Sequence, residues 1–143
     1  KKLTIGTVES CTAGMLASQI SSIPGASAYY EGALLTYSYK IKTSLANVPA
    51  DLILKEGAVS EPVAIQMAEN GRDILGADIC ISTTGIAGPG GGTETKPVGM
   101  VWIAIATKDG TTTKKMQFSK HRERNIKMTV LSALNLLRLE LRK

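Results

Sequence analysis

Apolar and polar positions change their period several times along this chain, and each change marks an element. Residues 3–8 carry β-branched Thr and Ile in a short strand pattern. Over residues 12–22, "TAGMLASQISS", the positions Met15, Leu16, Ile20 and Ile23 fall at helical spacing, and Pro24-Gly25 ends the run. Residues 29–37, "YYEGALLTY", read as a second strand, residues 38–46 as a short helix, and Pro49 opens another. Residues 60–75 predict a longer helix with Ser60 as N-cap and Glu61 and Pro62 in the first turn. Its buried side is expected at Val63, Met67, Ile74 and Leu75, and Gly76 is its stop. Residues 78–83, "DICIST", form a buried-type strand, and an irregular segment follows over 84–99. "MVWIAIAT" and "TTTKKMQFS" flank Lys108-Asp109-Gly110 as a hairpin. Residues 122–142 close the chain as an amphipathic helix, with Ile126, Val130, Leu134, Leu137 and Leu141 on one face.

Strands separated by helices imply parallel pairing, while the late hairpin demands an antiparallel strand. The order therefore predicts an α/β fold: a three-layer α/β/α sandwich around a mixed, mostly parallel five-stranded sheet with one antiparallel strand. At 143 residues this is one domain spanning the chain, with no internal repeat or linker.

Composition narrows the chemistry. Hydrophobic residues make up 43% and charged residues 20%, the balance of a soluble globular protein, and no stretch approaches membrane-spanning length. The basic start has too short an apolar part for a signal peptide, so the cytoplasm is the expected location. Cys11 and Cys80 are too few for a disulfide framework and lack metal-ligand spacing, so both are expected to stay reduced. His121 is the single histidine, which leaves little room for a zinc site or a Ser-His-Asp triad. The net charge of +5 suits an anionic ligand or nucleic acid without choosing between them.

In open α/β sheets, ligands lie beyond the carboxyl ends of parallel strands. Two loops occupy that position. The later one, "TGIAGPGGGTETKPVG", holds enough glycine for backbone N–H groups to surround an anion, with Lys96 as an added charge. It lacks both the Walker offset and G-x-G-x-x-G, and a strand follows it, so it is no common ATP or dinucleotide loop. The earlier loop, "ESCTAG", permits two readings. Ser10 or Thr12 can cap the following helix. Alternatively Ser10 is a nucleophile served by the helix N-terminus, with a base drawn from Tyr37, Lys40 or Lys42. A lysine desolvated in a pocket loses enough basicity to accept a proton. Cys11 has no histidine partner and reads as packing. The basic run "KKMQFSKHRERNIK" is a solvated face, a phosphate site through one arginine, or a nucleic-acid stripe with little aromatic support.

Taken in order, "ESCTAG", "YSYKIK", "GAVSEPVA", "TGIAGPGGGTETKPVG" and "FSKHR" resemble the C-terminal domain family of the competence/damage-inducible protein CinA, over nearly the whole chain. Members of that family are nicotinamide-nucleotide amidohydrolases, which convert nicotinamide mononucleotide to nicotinate mononucleotide and ammonia. The resemblance implies a three-layer mixed sheet, no metal, no cofactor and association into homo-oligomers. It implies Ser10 as nucleophile, with Tyr37 and Lys42 as its partners. It places Glu9, Cys11, Thr12 and Gly14 of the first loop near the substrate. From the glycine-rich loop it adds Thr84, Gly85, Ala87, Gly88, Gly91, Gly92, Thr93 and Lys96, and from the late basic segment Arg122. Ala13 stands where the family pattern carries glycine; Tyr39 and Lys40 replace Asn and Glu, and Lys120-His121 replaces Gly-Asp. Set against that pattern, where a helix usually precedes the first strand, the stand-alone form of the domain is expected. The expected partner is a small mononucleotide, with neither membrane nor nucleic acid. The alternatives are a non-catalytic nucleotide- or RNA-binding module, and an amidase for another small amide.

Overall fold

The computed structural model describes residues 2–143. Strands β1 (Ile5–Glu9), β2 (Tyr30–Leu35), β3 (Ile79–Gly85), β4 (Met100–Thr107) and β5 (Gly110–Gln117) form one sheet in the order β2-β1-β3-β4-β5. β1 runs parallel to β2 and β3, and β4 pairs antiparallel with both β3 and β5. β4 is thus the one antiparallel strand, as the sequence predicts. The helices are α1 (Met15–Ser21), α2 (Tyr39–Ala46), α3 (Ala50–Glu56), α4 (Glu61–Leu75) and α5 (Arg122–Glu140), with a short 3-10 turn at Ala26–Ala28.

Alternation along the strands builds a core on each face of the sheet. On one face Leu16 and Ile20 of α1 and Val130, Ala133 and Leu137 of α5 pack on Ile5, Ile81, Ile103 and Ile105. On the other, Val63 and Met67 of α4 meet Val8 and Cys80, together with Ala46, Val48 and Ile53. Ala64 and Ala68 press on Ala104 and Ala106, a contact of small side chains that brings α4 close to the sheet. Gly71 continues that row, and a Cβ there would run into the side chain of Val8.

Several local expectations shift. The strand predicted from residue 3 begins at Ile5, and β3 runs on to Gly85. The buried stripe of α4 follows Val63, Ala64, Met67, Ala68 and Gly71, leaving Leu75 half-buried and Ile74 turned outward at 43% exposure. The stripe of α5 is rotated in the same way: Asn125, Thr129, Val130, Ala133, Leu136 and Leu137 are buried, Ile126 and Leu134 are half-buried, and Leu141, beyond the helix end, is exposed. In α4 small residues hold core positions because the helix lies close to the sheet, and in α5 Asn125 and Thr129 are buried through their hydrogen bonds to backbone carbonyls. Among the described residues, no helix is long and apolar enough to cross a membrane.

Candidate active site

The carboxyl ends of β1, β2 and β3 lie side by side, and each supplies part of one polar cluster. The Ser10 amide donates to the Thr83 carbonyl (3.0 Å), and the Thr36 amide donates to the Glu9 carbonyl (2.8 Å). The three strand ends are thereby locked in register just where Ser10 leaves the sheet.

α1 does not begin as its sequence suggests. Ala13 and Gly14 both adopt left-handed backbone, with φ of 46° and 96°, so the helix starts at Met15 and neither Ser10 nor Thr12 caps it. The carboxylate of Glu9 takes the cap's place. It accepts from the amides of Gly14 (3.0 Å), Leu16 (3.1 Å) and Ala17 (2.8 Å), and from the Thr12 hydroxyl (2.6 Å). The Thr12 hydroxyl is also 2.8 Å from that of Thr83. The N–H groups of α1 are therefore occupied and cannot serve a ligand. Ala13 donates to the Ser10 carbonyl and Met15 to that of Thr12, which leaves the Thr12 amide without a hydrogen-bond acceptor among the described residues and the Cys11 amide with only its own thiol beside it.

Lys42, on α2, is 1% exposed. The Ser38 hydroxyl accepts from the Ile41 amide to cap α2, and the next residue points its amine into the cluster. Its Nζ lies 2.8 Å from Ser10 Oγ, 2.8 Å from the Thr36 carbonyl and 3.3 Å from the Tyr37 carbonyl. Among the described residues no carboxylate pairs with it, and burial pulls its pKa from 10.5 down to about 8. As an ammonium it donates to all three oxygens. As a neutral amine it can keep both carbonyls and turn its lone pair to the Ser10 proton. That is the arrangement a serine needs to become nucleophilic. Cys11, beside it, is buried and its thiol is pushed up to about 12, mainly by desolvation, so it is an unreactive packing residue.

The remaining predicted residues occupy the surroundings unequally. Tyr37 is 58% exposed, and its hydroxyl accepts from Arg122 (3.0 Å); only its carbonyl faces the Lys42 amine. Arg122 also donates to the Gly88 carbonyl (2.8 Å), so it bridges the Tyr37 segment and the glycine-rich loop. Thr84 and Gly85 belong to β3, and the Thr84 hydroxyl turns away to the Ala58 carbonyl (2.8 Å). Ala87 and Gly88 are buried, whereas Gly91, Gly92 and Thr93 form the exposed loop tip. The Lys96 amine donates to the Glu56 carbonyl at the end of α3, tying the loop down there. The basic run is split at its start. Lys114 and Lys115 stand opposite Ile103 and Trp102, so they project from opposite faces of the sheet.

Two groups escaped the sequence. Thr36 and Thr83 looked like ordinary strand residues, yet both are fully buried and hold the cluster together. Asn125, 1% exposed, donates to the carbonyls of Ala87 and Ser119 (both 2.9 Å) and accepts from the Ser119 amide and hydroxyl. It fixes the base of the glycine-rich loop to the start of α5. A polar residue four places before Thr129 on the buried side of a helix was the available signal.

These features define a three-layer α/β domain with a buried serine–lysine pair at the carboxyl edge of its sheet. Compared with known proteins, residues 1–141 match the CinA C-terminal domain. A CinA-like protein of Cytophaga hutchinsonii is 51% identical, covering 98% of this chain and 34% of its own length. A CinA-like protein of Parasynechococcus marenigrum is 44% identical, covering 94% of this chain and 33% of its own length. Among solved structures, the competence/damage inducible protein CihA from Agrobacterium tumefaciens is 34% identical with a TM-score of 0.95, over 99% of this chain and 87% of that one. The competence damage-inducible protein A (ComA) from Klebsiella pneumoniae, also 34% identical, has a TM-score of 0.94 over 98% and 87% of the two chains. The chain belongs to the CinA C-terminal domain family. It spans about a third of the length of the curated relatives it matches.

Proposed function

We propose that this domain is a metal-independent amidohydrolase that deamidates nicotinamide mononucleotide to nicotinate mononucleotide and ammonia, with Ser10 as nucleophile and Lys42 as base. The observation that carries the proposal is the contact of a buried, unpaired lysine with the Ser10 hydroxyl at 2.8 Å. In the reaction Ser10 Oγ attacks the carboxamide carbon while its proton passes to the neutral Lys42 amine. The amides of Cys11 and Thr12 receive the developing oxyanion. Lys42 then returns the proton to the departing nitrogen, the C–N bond breaks, and ammonia leaves an acyl-Ser10. Water attacks that ester, Lys42 takes its proton and hands it to Ser10, and nicotinate mononucleotide is released.

Tyr37 supports this chemistry through its carbonyl on Lys42 and by carrying Arg122, rather than by a proton of its own. Arg122 is the better candidate for the substrate phosphate than Lys96, whose amine is engaged at the end of α3. Because a guanidinium has five donors, Arg122 has N–H groups left after its two bonds. A small mononucleotide as partner, a homo-oligomeric state and a cytoplasmic setting belong to the same proposal.

The test is ammonia release from nicotinamide mononucleotide in the presence of EDTA, for the parent protein and Ser10→Ala. Release by the parent and none by the variant is expected. Equal release by both would remove Ser10 from the chemistry. No release by the parent would point to another amide or to a binding module.

A further inference from the structure

Glu9 is the one buried acid among the described residues, and the chemistry above gives it no part. Its side chain is 0% exposed, and all four of its hydrogen-bond partners are donors, which suits an acceptor-only carboxylate. Three of them are the amides of Gly14, Leu16 and Ala17, and the fourth is the Thr12 hydroxyl. Thr12 and Gly14 belong to the turn after Ser10, and Leu16 and Ala17 to the start of α1, so the carboxylate ties the turn to the helix. The same turn carries, directly after Ser10, two amides that no backbone group among the described residues accepts from: that of Thr12, and that of Cys11, which has only its own thiol beside it. Left to local preference, Thr12 would enter the helix, and its amide would join the N-terminal set that any anion or side chain can occupy. Instead the turn is held open by two consecutive left-handed residues, Ala13 and Gly14. Alanine at φ 46° needs the surroundings to impose it.

Building on the Ser10 chemistry proposed above, we infer that Glu9 is a positioning residue for the oxyanion site: its carboxylate fixes the Cys11–Gly14 turn so that the Cys11 and Thr12 amides stay free for the transition state. It touches neither substrate nor the reacting atoms. By consuming the N–H groups of α1, it also keeps them from competing for an anion.

The test uses Glu9→Gln, which keeps shape but sets an amide NH2 against N–H donors, in the full chain. Turnover of nicotinamide mononucleotide is measured alongside binding of phenylboronic acid. Boron accepts an Ser10 Oγ lone pair to form a B–O bond while the hydroxyl proton passes to Lys42, so the tetrahedral adduct probes the oxyanion donors without turnover. We expect kcat to fall about 100-fold with KM within about threefold, boronate affinity to fall with kcat, and the pH inflection set by Lys42 to stay in place. A folded variant with a lowered melting temperature but unchanged kcat and boronate affinity would show a purely structural role and overturn the inference. If Glu9→Gln does not fold, Thr12→Val removes one of the four contacts and should weaken boronate about tenfold; no change there overturns it equally. In the parent, amide exchange should be slow at Gly14, Leu16 and Ala17 and fast at Cys11 and Thr12, and the reverse order also overturns it. A parent that binds boronate without hydrolysing the mononucleotide loses only the substrate assignment, and the Glu9 test then stands on the boronate. A parent that does neither loses the Ser10 chemistry, and this inference falls with it.

Discussion

Lys42 Nζ and Ser10 Oγ meet at 2.8 Å across a sequence separation of 32 residues, inside a cluster whose other acceptors for the amine are main-chain carbonyls. The amine is charged at a cost and has no carboxylate to offset it. That single relationship sets both the pH behaviour and part of the stability of the domain.

The activity should follow deprotonation of Lys42. Its pKa near 8 means that kcat/KM climbs about tenfold per pH unit below that value and levels off above it. Lys42→Arg, whose guanidinium stays protonated, should abolish turnover at every pH. An inflection near 6, or activity in Lys42→Arg, would remove Lys42 as the base.

Stability should carry the same signature with a defined sign. The folded pKa is depressed to about 8 against 10.5 for a free lysine, so between those values the unfolded chain binds more protons than the folded one. The contribution of Lys42 is thus fully present above about 10.5 and lost as pH falls through about 8. Urea melts of the parent and Lys42→Met should therefore diverge in the parent's favour as pH rises through that window. A difference that is flat with pH would mean the lysine titrates normally in the fold.

Arg122 and Lys96 should separate as ligands of the phosphate. Arg122→Ala is expected to raise KM for nicotinamide mononucleotide by about 10- to 150-fold, the worth of a charge-assisted hydrogen bond of about 1.5–3 kcal/mol. Lys96→Ala should leave it within about twofold. Neither change should alter competition by nicotinamide itself, which has no phosphate. Equal effects of the two variants would return Lys96 to the site.

Asn125 is the hinge pin of the glycine-rich loop. Asn125→Ala strands the buried carbonyl of Ala87 and the Ser119 groups, and should cost about 2–3 kcal/mol in a urea melt. Because the Gly88 carbonyl that Arg122 holds lies next to Ala87, KM should rise as well. A variant as stable as the parent would show that the loop is fixed by its own ladder, through Ile86 and Gly99.

Most of the architecture was legible because it is written in short-range periodicity. Alternation marked β4, helical spacing marked α4, and the Lys108-Asp109-Gly110 turn forced the hairpin that makes β4 antiparallel. Ser10, Lys42 and the glycine-rich loop were visible as residue types in a familiar pattern. What the tertiary structure alone decided was which of them touch. Lys42 reaches Ser10 only because β1 and β2 pair in register and α2 turns its fourth residue inward. Tyr37 goes to Arg122, 85 residues away, and Lys96 to the end of α3. Ser10 and Thr12 satisfied every local rule for a helix cap, yet a buried carboxylate from the preceding strand took the amides instead. Local preference is worth about 1 kcal/mol at a cap, and a carboxylate desolvated in the core needs every donor within reach. The larger energy won, and it is not visible until the chain has folded.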